Sequence, residues 1–302
     1  MTEARQAPTG LWAVLRRLRR RKLALVGCFI VIAMVFIALA APWIMPQDPS
    51  RTSLVARLLP PGSRHGGTLH LLGTDALGRD LLSQLLIGAR ISLLVGLSAV
   101  LLGGSIGIIL GAGSTYLGRG FEAVTMRVAD VQLSFPSFLL ALALLAVFGS
   151  GLTNVILVLA ISEWVQYARV ARGQTLVVME QEFFEAARAL GVRRLRLLVR
   201  HVLPNIMSPL IVIGSFSVAR AIIAEASLSF LGVGVSPEVP TWGGILARGR
   251  DYIRDAWWLV MLPGLAIMVT VLGINVVGDF LRDLLDPHQR LGRSSRWHRE
   301  GG

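Results

Sequence analysis

The chain of 302 residues contains one cysteine and one lysine. The cysteine, Cys28, lies in the first apolar stretch. A lone cysteine excludes an internal disulfide, a thiolate zinc cluster and an iron–sulfur site. The lysine, Lys22, is followed by Leu23. A Walker A loop needs Gly-x-x-x-x-Gly-Lys-Ser/Thr, whose lysine reaches the nucleotide phosphates, so this chain has no such loop. Charge is scarce as well. Only 16% of the residues are charged and 54% are hydrophobic, with a mean hydropathy of +0.64. Soluble domains run closer to ~25% charged. The composition excludes an ordinary soluble enzyme, and it has too much apolar surface for a disordered chain. No HExxH pair occurs, and His65, His70, His201, His288 and His298 all fall outside the long apolar runs. That argues against a zinc protease at membrane depth, and nothing in the sequence pairs Asp130 with Asp279 as an aspartyl enzyme would require. Acidic residues are the rarer sign, 18 against 30 basic, for a net charge of +12. In a soluble chain that excess would suggest nucleic acid. Here the arginines flank apolar runs, so membrane topology and anionic lipid explain them, and no nucleic-acid partner is expected.

What the chain does have is long uncharged runs. Leu11 to Lys22 reads LWAVLRRLRRRK, with Trp12, Leu15 and Leu18 on one helical face and arginines on the other, as in an interfacial basic helix. Leu23 to Ile44 follows without a charge. A signal-peptide core is only about 7–15 residues, so this longer run, ending at Pro42 and Trp43, reads as a retained first span. Met45 to Gly88 is polar and turn-rich, closing on a short amphipathic stretch with Leu81, Leu82, Leu85 and Leu86 on one face. Ile91 to Gly118 is again uncharged, and Gly103, Gly107 and Gly111 recur every four residues. Two overlapping GxxxG units bring glycines to one face, where another backbone can approach closely. Val131 to Ser162 carries no charge over 32 residues. A continuous helix of that length would rise about 48 Å against a hydrocarbon core of about 30 Å. Gly149-Ser150-Gly151 supplies a break, giving two short spans. Ile206 to Leu231 contains Arg220 and Glu225, and Ala256 to Val277 is the last run, with Trp257 and Trp258 at its entrance as an aromatic belt.

The expected architecture is therefore all-α and integral to the membrane. Six spans, at about 23–44, 91–117, 132–148, 152–168, 206–231 and 256–278, lie in a domain 23–281 between a basic segment 1–22 and a tail 282–302. With the N-terminus inside, only Arg51, Arg57, Arg64, Arg79, Arg248, Arg250 and Arg254 fall outside. Arg90 and Arg220 lie at or within spans, and every other arginine and the lysine are inside. Reading Val131 to Ser162 as one span would move the basic segment around Arg193 outside, so the positive-inside rule favours six spans with both termini cytoplasmic.

The loop between spans four and five, Glu180 to Asn205, reads EQEFFEAARALGVRRLRLLVRHVLPN. Phe183, Phe184, Ala187 and Leu190 lie near one helical face, and Gly191 is placed to end the helix because glycine takes the left-handed conformation of a C-cap. Glu185-Ala186-Ala187, then Gly191, then Leu203-Pro204 resembles the EAA signature of ABC importer permeases. His201 stands where isoleucine is usual in that signature and resembles the peptide and nickel branch; no metal cluster surrounds it, and no metal site is expected. Three further blocks are similar to the same branch. They are His70-Leu71-Leu72-Gly73-Thr74-Asp75 with Gly78-Arg79-Asp80, Ser83, Gly88, Arg90 and Ser92; Glu225 to Gly232 with Trp242-Gly243; and Pro263-Gly264, Asn275, Gly278-Asp279, Leu281-Arg282-Asp283 and Asp286-Pro287. Gln84 departs from the arginine expected there. The four blocks in order resemble the C-type permease subunit of a dipeptide/oligopeptide importer.

The resemblance implies the type I ABC importer permease fold and a non-catalytic subunit in a bacterial cytoplasmic (inner) membrane. It implies a second permease subunit in a heterodimer, two ABC ATPases that bind ATP and Mg, an extracytoplasmic solute-binding protein, and no cofactor on this chain. Glu182, Phe183, Glu185, Ala186, Ala187, Gly191, Leu203 and Pro204 would form the coupling segment that inserts into the ATPase. Arg220, Glu225 and Ser229 are candidates for the translocation path. Arg220 and Glu225 are five apart, so they are not expected to pair with each other. Glu163 is a weaker candidate for the same path, because it sits near Trp164 and the inner interface. Thr74, Asp75, Arg79, Asp80, Trp242 and Gly243 are candidates to face the binding protein, with Trp242 read as an exposed aromatic on a flexible loop, either a contact anchor or a headgroup-level aromatic. Peptide is the expected substrate; nickel chelates or glutathione are the alternative. A channel or membrane scaffold is the more distant one, and it would not need a docking helix.

Overall fold

In a computed structural model, residues 18–19 and 21–285 are described. The expected basic segment 1–22 and tail 282–302, with Asp286-Pro287, lie largely outside the described residues. Helix α1 is Lys22–Ile44. A turn-rich stretch follows, containing a short antiparallel hairpin of β1 (Ser63–His65) and β2 (Thr68–His70). Then come α2 (Leu81–Leu117), α3 (Arg119–Leu133), α4 (Ser137–Phe148) and α5 (Leu152–Met179). Two short helices, α6 (Glu182–Ala189) and α7 (Arg194–Leu197), lead through a wider turn at Leu198–Val202 into α8 (Leu203–Phe230). Helix α9 (Trp242–Gly249) caps one end, and α10 (Trp258–Leu285) closes the fold.

The tightest packing joins α2 to α5, and its cause is the four-residue glycine repeat. A Cβ added at Gly103, Gly107 or Gly111 would stand 2.5 Å from the Ala160 carbonyl oxygen, 2.3 Å from that of Trp164 and 2.2 Å from that of Ala168 respectively. The glycine stripe thus meets a second four-residue repeat on α5, and the backbones touch without intervening side chains. Between α1 and α10, Gly27 and Gly273 allow the same approach, each lying under a β-branched side chain of the other helix. The main apolar core fills the space among α2, α5 and α8 with Val95, Ala99, Val158, Leu159, Leu210 and Leu228.

The spans differ from expectation in three places. First, α2 begins at Leu81 and not near 91, because Asp80 caps it and Leu81, Ser83 and Gln84 are buried at its start. Second, α4 has only twelve residues, a rise of about 18 Å, too little to cross a hydrocarbon core alone. It bends by 93° from α3, as a broken span or a re-entrant loop does. Third, α5 does not stop near 168. It continues through Arg169 and Arg172 to Met179, since these arginines pair with Asp130 and Glu122 of α3. Among the described residues, Lys22–Ile44, Leu81–Leu117, Arg194–Phe230 and Trp258–Leu285 are long and apolar enough to cross a bilayer, and the bent pair makes a fifth if it is one span. Helix α5 is not among them.

Candidate functional site

Helix α8 is 28 residues long, so its two ends lie about 42 Å apart. The motif-bearing residues fall at three levels along it: the end carrying α9, the middle, and the end carrying α6.

At the α9 end the side chains turn inward. Asp75 Oδ1 accepts the backbone N–H of Leu77 and of Arg79, both at 2.9 Å. Its Oδ2 accepts from Arg79 Nε at 2.7 Å and from Gln84 Nε2 at 3.1 Å. Gln84 Oε1 in turn accepts from Arg248 Nη2 at 3.2 Å. An arginine at 84 has donors only, so it would face the donors of Arg248 with nothing to offer them. Glutamine, with a donor and an acceptor, bridges the two charges. Burial, and next the neighbouring Arg79, push the Arg248 pKa down to about 10, with Asp75 opposing. Asp80 is the N-cap of α2. Its Oδ2 accepts from the Ser83 N–H at 2.9 Å and hydroxyl at 2.8 Å, and its Oδ1 accepts from His70 Nδ1 at 3.0 Å. Thr74 Oγ1 donates to the Ala56 carbonyl and accepts from the Leu59 N–H.

Helix α9 locks onto this layer. Trp242 Nε1 donates to the Leu85 carbonyl at 3.1 Å, and a Cβ at Gly88 would meet the indole at 3.0 Å. Gly243 rests on Ala226, whose Cα would be 2.4 Å from an added Cβ. Glu225 accepts from the hydroxyls of Ser92 (3.3 Å) and Ser229 (2.8 Å), while Ser92 Oγ also accepts from the Trp242 N–H. Two sequence blocks more than a hundred residues apart therefore meet at one buried node. Trp258, beside exposed Trp257, is also buried and donates to the Thr74 carbonyl, so only Trp257 presents itself as a belt residue would.

These positions correct two expectations. Thr74, Asp75, Arg79, Asp80, Trp242 and Gly243 are buried, Arg79 the most open of them at 9%; Trp242 is 1% exposed and begins a helix, not a flexible loop. Each already has partners inside the chain. Glu225 and Ser229, expected on a path, are buried likewise, Glu225 at 0% exposure.

In the middle, Arg220 points away from Glu225 and toward α5. Its Nη2 donates to Gln166 Oε1 (2.6 Å), Ser217 Oγ (2.7 Å) and Glu163 Oε2 (3.2 Å). Glu163 does not lie at an interface. It is eleven residues into α5, which runs on for sixteen more, so it sits near the middle of the helix. Sequence reading offers Glu163 as a weaker path candidate and passes over Gln166. The signal was available: a charge in an apolar run facing an opposite charge in another run.

At the α6 end the surface is open. Gly191 has φ +74, the left-handed conformation expected of it, just beyond the end of α6. Phe184 is 2% exposed and belongs to the main apolar core with Val178, Leu197, Val202 and Ile206. Ala187 packs with Phe184 against that core, but Phe183 and Leu190, expected on the same face, are exposed with Glu182, Glu185 and Ala186, Leu190 at 85%. Phe183 stacks loosely on His201 at 6.3 Å between ring centroids. Leu203 and Pro204 begin α8 directly after the wider turn at Leu198–Val202. Among the described residues, no group of three or more His, Cys, Asp and Glu is placed to hold a metal ion.

With this geometry in view, comparison with known proteins is informative. A family model described as "Binding-protein-dependent transport system inner membrane component" matches residues 103–291. A second, for the N-terminal TM domain of oligopeptide transport permease C, matches residues 10–61. The di/tripeptide transport system permease protein of Pseudomonas aeruginosa is 44% identical over 265 residues, covering 87% of this chain and 88% of that one. The dipeptide transport system permease protein of Escherichia coli is 44% identical over 270 residues, covering 89% and 90%. A Brucella suis protein, provisionally named a peptide transport system permease protein, is 42% identical over 291 residues, 96% of each chain.

Proposed function

The chain belongs to the family of binding-protein-dependent transport system inner membrane components, and from that premise we propose that it is the peptide-carrying permease subunit of an ATP-driven importer. The observation that carries this reading is the 44% identity to two peptide permeases over almost nine-tenths of the chain. We assign the chain to a heterodimer with a second permease subunit, served by two ATPase subunits that hold ATP and magnesium and by an extracytoplasmic binding protein. The α6 end and both termini face the cytoplasm, in keeping with the arginines that surround them.

In this account α6 is the lever. Its exposed side, with Glu182, Phe183, Glu185, Ala186 and Leu190, seats in the ATPase. Its hidden side, through Phe184, is part of the apolar core shared with α5 and α8. A push on α6 is passed to the spans because close-packed interiors do not absorb displacement. Glu185 supports the docking role by having little else to do. Its neighbour Arg188 is 4.0 Å away and both side chains are well exposed, an arrangement worth little to stability. Arg220, on the open α5–α8 face, lines the path; Glu225 and Ser229 hold α9 in place instead.

The test is uptake of a radiolabelled dipeptide into proteoliposomes containing the complete transporter. The account expects accumulation that requires both ATP and the binding protein. In the Glu185→Lys variant, ATP hydrolysis should persist while accumulation falls at least about tenfold, the effect of placing like charge in a docking contact. Absence of peptide accumulation by the wild-type complex would overturn the reading.

A further inference from the structure

Two acids of this bundle are treated in opposite ways. Glu225 is sealed from solvent and satisfied by two serine hydroxyls. Glu163 is satisfied by a cation that is itself open: the Arg220 side chain is 47% exposed and that of Glu163 15%. Arg220 lies ten residues from the α9 end of α8, and Glu163 lies eleven residues from the corresponding end of α5. At 1.5 Å per residue both sit about 15–17 Å below that end, near the middle of a bilayer core of about 30 Å. A guanidinium open to hydrocarbon at that depth is expensive, so this face meets water, a partner or a passing ligand.

The geometry of the guanidinium selects among these. Gln166, Ser217 and Glu163 all accept from a single nitrogen, Nη2. The three partners hold the group through Nη2 and, among the described residues, leave the N–H groups of Nη1 and Nε without an acceptor. The two nitrogens left over face different edges of the group, so each can give a carboxylate oxygen one charge-assisted hydrogen bond. Ile223 and Ser227, on the same side of α8, offer no competing charge. Resting on the peptide-permease reading, we propose that Arg220, positioned by Glu163, Gln166 and Ser217, is a mid-membrane binding site for the C-terminal carboxylate of the peptide in transit. The site recognises the one group that all peptides share and leaves their side chains unread. Glu163 keeps Arg220 from holding the anion too tightly to release it.

The experiment uses the full transporter, with both permeases and both ATPases, in lipid nanodiscs without the binding protein. Equilibrium binding of radiolabelled trialanine is measured with and without a non-hydrolysable ATP analogue. Saturable binding is expected in at least one state, displaced by unlabelled trialanine but at least about tenfold less well by trialanine amide. Arg220→Gln should abolish it, and Arg220→Lys should restore part of it. Ile223→Ala, one turn along the same face, should leave it unchanged. Glu163→Gln should tighten it, an effect that a purely structural ion pair would not produce. Equal displacement by the amide, binding undiminished in Arg220→Gln, or no saturable binding in either state would overturn the proposal. ATP-driven uptake by the same complex supplied with binding protein reports separately on the peptide-permease reading.

Discussion

At the α9 end, the carboxylate of Asp75 accepts four hydrogen bonds and Trp242 is sealed under its own chain. At the α6 end, about 42 Å away along α8, Glu185 has one cation at 4.0 Å and Leu190 stands in the open. Both ends carry motif residues of the same chemical types: acids, arginines, small residues and aromatics. What differs is whether the chain supplies the partners. At the first end it does, and the motif is architecture. At the second it does not, and the motif is a surface left for another protein.

Substitutions should follow this division, and the largest effect belongs to the closed end. Trp242→Ala removes a fully buried indole and its bond to Leu85, and about 3–5 kcal/mol of stability should go with it. Thermal unfolding of the purified complex, followed by tryptophan fluorescence and trypsin resistance, should show a large fall in Tm. The next change sharpens the account of Gln84. Gln84→Arg strands a second cation against Arg248, at about 1–3 kcal/mol, and adding Arg248→Gln should recover most of the loss. If the double variant is no better than the single, the bridging role of Gln84 is wrong. At the open end the effects shrink. Gly191→Ala forces a left-handed conformation on a residue with a Cβ, at about 1–2 kcal/mol. Most of that should appear as local fraying of α6 in hydrogen exchange, with little change in Tm. Arg188→Ala should shift Tm by less than about 0.5 kcal/mol equivalent, because its ion pair is exposed and long.

Much of the helical layout was legible in sequence because it depends on local or periodic signals. The glycine repeat at Gly103, Gly107 and Gly111 announced a close helix contact, and Gly191 announced the end of α6. The partners of a motif were not legible. Asp75, Arg79 and Trp242 look like an exposed binding surface when read along the chain, since their loops are polar and turn-rich. Their burial comes from contacts between segments more than a hundred residues apart, such as Trp242 with Leu85 and Gly88. The length of α5 was hidden for the same reason. Arg169 and Arg172 read as the end of a span until Asp130 and Glu122 on α3 are seen beside them. The Arg220–Glu163 pair, 57 residues apart, likewise needed the α5–α8 contact to become visible.

The scarcity of cysteine offers the most direct test of the open end. In a Cys28→Ser background, Ala186→Cys places one thiol on the exposed side of α6. Its labelling by a membrane-impermeant maleimide is compared in inside-out vesicles that contain the whole transporter and in vesicles lacking only the ATPase subunits. The account predicts rapid labelling without the ATPases and labelling at least about tenfold slower when they are present, as expected for a residue buried in an interface core. Equal labelling rates in the two preparations would contradict the assignment of α6 as the surface through which this chain is driven.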